Sequence, residues 1–177
     1  MKRQIWISML VAVALVVTSA LTALAAQGAL SRGDKKFASE AAAGGLMEVQ
    51  LGQLAQQNGD SADVKQFGQR MVTDHGKAND ELKTLAQQKN LTLPTELKGK
   101  HKSEHEKLSK ITGANFDHMY MGLMVKDHVK DVADFRKAVK NVKDPDLNAW
   151  AAKTLPVLEQ HLQQAREIAQ KLGIKSK

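Results

Sequence analysis

The stretch ADVKQFGQRMVTDHGKANDELKTLAQQK, residues 62–89, decides the fold. Val64, Gly68, Met71, His75, Ala78, Leu82 and Leu85 recur at steps of four or three, the spacing that keeps side chains on one face of a packed helix. A single polar residue, His75, interrupts this seam near its middle. The pattern returns three times. Met121, Val125, His128, Val132, Phe135, Val139 and Val142 form a seam with a second histidine inside it. Leu147, Ala151, Thr154, Leu158, His161, Ala165, Ile168 and Leu172 enclose a third. Phe37, Ala41, Gly44, Glu48, Leu51 and Ala55 come first in the chain and carry a carboxylate instead. Strand-like alternation is absent, so the expected class is all-α.

Local signals place the helix ends. Asp34 opens the first helical pattern, which runs to about Gln57. Asn58-Gly59 is a stop, and Asp60-Ser61 supplies the next N-cap. The second helix ends near Lys89, because Pro94 disfavours helical backbone at Leu93. Thr95 caps a short, very polar helix that reaches about Ile111, and Gly113 with Asn115 marks the next boundary. The third long helix runs to about Val142. Asp144-Pro145 is an N-cap followed by proline at the first helical position, and Gly173 ends the last helix. Four long helices, two tight turns and one long middle connection predict a four-helix bundle over residues 34–173, with a short extra helix in the crossover.

The N-terminus reads as a targeting segment. Lys2 and Arg3 precede an uncharged, mostly apolar run from Ile5 to Leu24, and Ala23-Leu24-Ala25 fits a small-x-small cleavage site. The expectation is a signal peptide over residues 1–25, a linker over 26–33 and a mature protein in the periplasm or cell envelope. The alternative is an uncleaved inner-membrane anchor over residues 5–24, since that run approaches the ~20 residues that span a bilayer. Cysteine is absent, which excludes disulfides, thiolate ligands and a lipid-modified cysteine anchor. Without Lys2 and Arg3, 24 basic residues face 19 acidic ones, a net charge of +5 spread along the chain. Aromatic residues are sparse, which argues against base stacking and a nucleic-acid partner. A spread positive charge favours weak association with anionic membrane surfaces.

Buried polar residues need partners, and three imidazoles with a carboxylate inside a bundle have the composition of a metal site. Distances from the turns set their heights. His128 lies 15 residues before Lys143 and His161 18 after it, a difference of ~4 Å at ~1.5 Å per residue. Measured from Gly59, the level of His75 falls on the first helix at Ala43, leaving Glu48 off by ~7 Å and Glu40 by ~4 Å. Glu48 has the cleaner seam and Glu40 the nearer height, with Gly44 and Gly45 between them. The expected metal ligands are His75, His128, His161 and Glu48, with Glu40, Asp74 and Asp131 as secondary candidates. Asp74, Asp127 and Asp131 otherwise read as solvated groups or partners of imidazole N–H groups. A buried, metal-free polar network is the competing reading. Pro156 should kink the last helix one turn before His161. His118 falls outside the site, His101 and His105 read as part of a solvated helix, Tyr120 packs with its hydroxyl near an end of the core, and the methionines read as core filling with a secondary copper role.

Residues 41–48 (AAAGGLME), 71–75 (MVTDH), 116–120 (FDHMY), Asp127-His128 and Leu155-Pro156 with His161 resemble a bacterial family of exported proteins of unknown function, often labelled membrane proteins. The resemblance covers Phe37 to Leu172 in order. It implies a ferritin-like four-helix bundle in the envelope, with Glu48, Asp74, His75, Asp117, Tyr120, His128 and His161 as matching positions, and it implies no established activity. Di-iron proteins of that fold use Glu-x-x-His on two helices; here Val72, Val125 and Leu158 stand three residues before the histidines. A single nitrogen-rich site suits Zn, Cu, Fe or Mn better than Mg or Ca. The functional expectation is a metal-binding envelope protein in stress protection or metal handling. The alternatives are a small periplasmic metallo-oxidoreductase and a metal-free structural or interaction module.

Overall fold

The computed structural model describes residues 29–174. The signal-peptide and anchor expectations therefore lie outside the described residues. Among the described residues, no helix is long and apolar enough to cross a membrane. Five helices follow in order: α1 (Arg32–Asn58), α2 (Ala62–Gln88), α3 (Gly99–Leu108), α4 (Gly113–Asn141) and α5 (Pro145–Lys171). The chain is all-α, as the seams require. Helix α1 packs on α2, α4 on α5, and the two hairpins meet along α2 with α5 and α1 with α4. The long connection carries the chain back along the bundle, so α1 and α5 run one way and α2 and α4 the other.

Two ends differ from expectation. Helix α1 begins two residues early because the Ser31 hydroxyl accepts the Asp34 amide at 3.1 Å and caps it. The crossover helix is shorter than Thr95–Ile111 at both ends: it starts at Gly99, whose φ is +53°, and stops at Leu108. The stop at Gly173 is as read. With φ +72°, it lets Ile174 N–H reach the Ala169 carbonyl at 2.9 Å and closes α5. Helix α5 runs through Pro156 without interruption.

Each hairpin turn is held by a buried aspartate from the other hairpin. Asp117, at the start of α4, accepts the amides of Asp60 and Ser61 at 3.1 and 2.8 Å. Asp34, at the start of α1, accepts those of Lys143 and Asp144 at 3.2 and 3.3 Å. The Ser61 side chain makes no capping bond, so the expected local cap at this turn is replaced by a long-range one. Charge-assisted bonds of this kind are worth about 1.5–3 kcal/mol each. They fix the height of one hairpin against the other. Within the first hairpin the backbones approach closely: a β-carbon on Gly52 would stand 2.6 Å from the Gly68 carbonyl oxygen.

The core is two apolar clusters. One gathers Leu51, Phe67, Met71, Phe116, Tyr120 and Met124 toward the α1–α2 turn. The other gathers Ala42, Leu82, Val132, Phe135, Trp150 and Leu158 toward the α4–α5 turn. Met47, Met71, Met121 and Met124 fill the first cluster, as expected. Each fully buried large apolar side chain contributes about 1.5–3 kcal/mol. Between the two clusters lies a polar layer.

Candidate metal centre

That layer consists of Glu48 from α1, His75 from α2, His128 from α4 and His161 from α5. All four are buried: His128 and His161 are 0% exposed and Glu48 is 1% exposed. The ring centroids lie 5.6 Å apart for His75 and His128, 5.2 Å for His75 and His161, and 5.4 Å for His128 and His161. One nitrogen from each ring lies within 4.8 Å of the other two.

The outer nitrogen of each ring is occupied. His128 Nδ1 stands 3.0 Å from the Met124 carbonyl, to which its N–H donates. His161 Nε2 donates to Asp74 Oδ2 at 2.8 Å. His75 Nδ1 lies 2.9 Å from Glu48 Oε2. The inner nitrogens are His75 Nε2, His128 Nε2 and His161 Nδ1. These are buried and have no hydrogen-bond partner among the described residues. An outer acceptor on each ring fixes the tautomer and leaves an inner lone pair. With one nitrogen of each ring within 4.8 Å of the other two, the three histidines can form a three-nitrogen pocket, and a group left buried without a partner costs about 1–3 kcal/mol.

Burial keeps the rings neutral. It pushes His75 down to about 4 and His161 down to about 3, the latter against the opposing hydrogen bond to Asp74. His128 is lowered for the same reason. Neutral imidazole is the form that ligates a metal. Burial pushes the Glu48 carboxyl up to about 7, against the attraction of His128. Burial also raises Asp131 well above the carboxylate range, and Glu48 adds to it. At Asp74 burial is outweighed by hydrogen bonds from His161 and Arg70, which hold it below its usual range. The sign of the pH dependence follows. Between about 6.5 and about 4 the unfolded chain carries a proton on His75 that the folded chain does not, so stability falls as pH falls through that window. In a His75→Leu chain, the slope of stability against pH there should shrink by about 1.4 kcal/mol per unit. Urea titrations at several pH values would read it, and an unchanged slope would contradict a buried neutral ring.

The structure sorts the sequence candidates. The three histidines come together. Glu48 joins them: it lies 2.9 Å from His75 Nδ1 and 3.4 Å from His128 Nδ1, where it orients the two rings. Glu40 is exposed and pairs with Lys36 at 3.8 Å. Asp74 holds His161 and is itself held by Arg70 at 3.1 Å, a role of imidazole partner. Asp131 is half-buried in a cavity beside Glu48 and His75. His118 is exposed, outside the site. Tyr120 is buried, its hydroxyl enclosed and without a hydrogen-bond partner among the described residues, with the ring stacked on Phe116 at 5.4 Å. Two features were missed in the sequence. Arg70 reaches across to Gln160 and Gln164 at 2.9 and 2.8 Å, which anchors Asp74. Phe67 packs edge-on against both His128 and His161. The periodic pattern marks Phe67 as apolar but says nothing of its contact with the rings.

Residues 19–168 match the domain of unknown function DUF4142. The chain belongs to that family. No curated protein matches the sequence. The DUF4142 chain is similar in fold to a DUF305 protein from Streptomyces coelicolor described as secreted, with 13% identity and a TM-score of 0.70 over 81% of this chain and 96% of that one. It is similar to a DUF305 fragment from Deinococcus radiodurans, with 11% identity and a TM-score of 0.69 over 82% and 99%. It is also similar to CopM in its Cu(I)-bound form, with 15% identity and a TM-score of 0.65 over 78% and 96%. At such identities the likeness carries the helical-bundle fold alone.

Proposed function

We propose that this DUF4142 protein binds one transition-metal ion through His75 Nε2, His128 Nε2 and His161 Nδ1, in the bacterial envelope. One observation carries the reading: three buried imidazoles each offer a nitrogen within 4.8 Å of the other two, and each ring has a buried nitrogen without a hydrogen-bond partner among the described residues. A cation there would gain three ligands and relieve three unpartnered groups. Glu48 and Asp74 would offset its charge from the far side of the rings. A nitrogen-rich set suits copper, zinc, iron or manganese better than magnesium or calcium. CopM, a relative in fold, is known in a Cu(I)-bound form, which puts Cu(I) and Zn(II) first, with Fe(II) and Mn(II) behind them. The role is metal handling or stress protection in the periplasm. The apolar N-terminal run supports export, and the DUF305 relative described as secreted agrees with it. The open fourth position of a three-nitrogen site keeps a metallo-oxidoreductase as the second reading.

The test is a titration of the chain from Ala26 onward with Cu(I), Zn(II), Fe(II) and Mn(II), each followed by calorimetry and by thermal unfolding. One equivalent of a single metal should bind and raise the melting temperature. Failure of all four to bind or to shift the transition would overturn the proposal and leave a buried histidine network in a structural bundle.

A further inference from the structure

The polar layer is not sealed on the α1–α4 side. A cavity there reaches inward from the surface to Glu48 and His75, lined on the way by Glu40, Gly44, Asp131 and Asp134. It offers about 50 Å³, and since about 10–15 Å³ holds one water, it has room for a partly hydrated ion. Gly44 accounts for the opening. A β-carbon at Gly44 would meet nothing within 4 Å, whereas one at the neighbouring Gly45 would run into the Asn79 side chain. Gly45 thus serves helix packing, and Gly44 leaves space unfilled at a site where glycine costs the helix about 1 kcal/mol.

The carboxylates of the lining differ in exposure. The side chains of Glu40, paired with Lys36, and of Asp134 are 62% and 40% exposed, Asp131 is half-buried and Glu48 is buried. The one basic residue among the described lining is Lys130, and Asp134 holds it at 2.7 Å. At the inner end, Glu48 Oε1 is buried and has no partner among the described residues, while Oε2 touches His75. A second opening lies between α2 and α5 beside His75 and His161. That opening is larger, about 150 Å³, but its carboxylates are all paired, Glu81 with Lys153 at 2.7 Å and Asp74 with Arg70 and His161. The α1–α4 cavity instead holds Asp131 and Glu48, which have no lysine or arginine partner among the described residues.

We infer that the α1–α4 cavity is the route by which a metal cation reaches the histidines. Asp131 and Glu48 draw the ion inward from the surface, and Glu48, beside the outer nitrogen of His75, is the last oxygen it meets before it passes the ring to the inner nitrogens. The inference rests on the reading of the triad as a metal centre. Acidic clefts with low-dielectric walls raise cation association rates by roughly 10- to 1,000-fold, so the route should be visible in rates rather than in equilibrium affinity.

The experiment is stopped-flow uptake of Cu(I) or Zn(II), whichever the native chain binds, by the full chain and two variants. Gly44→Leu fills the cavity and improves the local helix. It should slow uptake by about 10-fold or more if the cleft's rate gain is lost, with affinity essentially native. Glu40→Gln combined with Asp134→Asn removes the exposed carboxylates of the lining. It should slow uptake several-fold at low salt, and the difference should vanish near ~1 M salt, where the screening length falls to ~3 Å. Native uptake rates in both variants would overturn the route. So would a loss of affinity matching the loss of rate, because the centre itself would then be disturbed. A native chain that takes up no metal would overturn the reading of the triad, a failure distinct from either of these.

Discussion

A His128→Leu chain should bind its metal more than about 100-fold more weakly than the native chain, beyond the 10- to 100-fold loss that removing an imidazole's outer partner produces. Its apo form should keep its melting temperature or gain a few degrees. The first half follows from the unpartnered Nε2 of His128 at the centre of the triad. The second half follows from its surroundings. His128 is 0% exposed and packs against Phe67, so leucine fills the space with apolar surface. The Met124 carbonyl, which accepts its Nδ1–H, already lies inside α4 and keeps its helical partner. Removing a buried polar side chain this way is often neutral or stabilising. Calorimetric titration and thermal unfolding on one preparation separate the two halves. Affinity within a few-fold of native would remove His128 from the ligand set. A large loss of stability with no effect on metal would favour the structural network.

Phe67→Ala should destabilise the apo protein by about 3–5 kcal/mol, roughly 10 °C in melting temperature for a domain of this size. The ring is 0% exposed and sits where the apolar cluster nearer the α1–α2 turn meets the polar layer, 6.2 Å from Tyr120, 6.3 Å from His128 and 6.4 Å from His161 between centroids. Few neighbours can collapse into the gap, because the imidazoles are held by Met124 and Asp74 on their far sides. The cavity would also admit water to the rings, so their low pKa values should rise toward the ordinary range. Urea unfolding gives the stability, and proton NMR of the imidazoles against pH gives the second effect. A cost under about 1 kcal/mol would mean that the layer repacks freely.

These two residues differ in how far they could be read from the chain. His128 stood out because a polar residue inside an apolar seam violates the local pattern. Phe67 obeyed the pattern and so carried no signal of its own. The same contrast runs through the aspartates. Asp34 and Asp117 each sit near a helix start, where an acidic residue is locally favourable, yet their work is to grip the opposite turn, and no periodicity encodes a contact more than fifty residues away.

Glu48 and Glu40 show where the height argument failed. Measured from Gly59, His75 should face Ala43. In the structure Gly45 faces Asn79 and Gly52 faces Gly68, so the hairpin's midpoint falls near residues 60–62 and His75 faces Met47 and Glu48. The turn is centred later than its stop signal, where Asp117 holds the amides of Asp60 and Ser61. A shift of about two residues in the midpoint moves the facing position by about four, a full turn of helix, and so exchanges one glutamate for another.

The sequence by itself determined the helices, their buried faces, the turns, and the placing of three histidines and a glutamate inside the bundle. All of these follow from 3.6-residue periodicity and from local capping chemistry. Only the tertiary structure decided which carboxylate meets the rings, which nitrogens face inward, and that a cavity at Gly44 leads to them. Those depend on the axial offset and approach of packed helices, which interdigitation and long-range hydrogen bonds set to within a turn, a scale that no local pattern resolves.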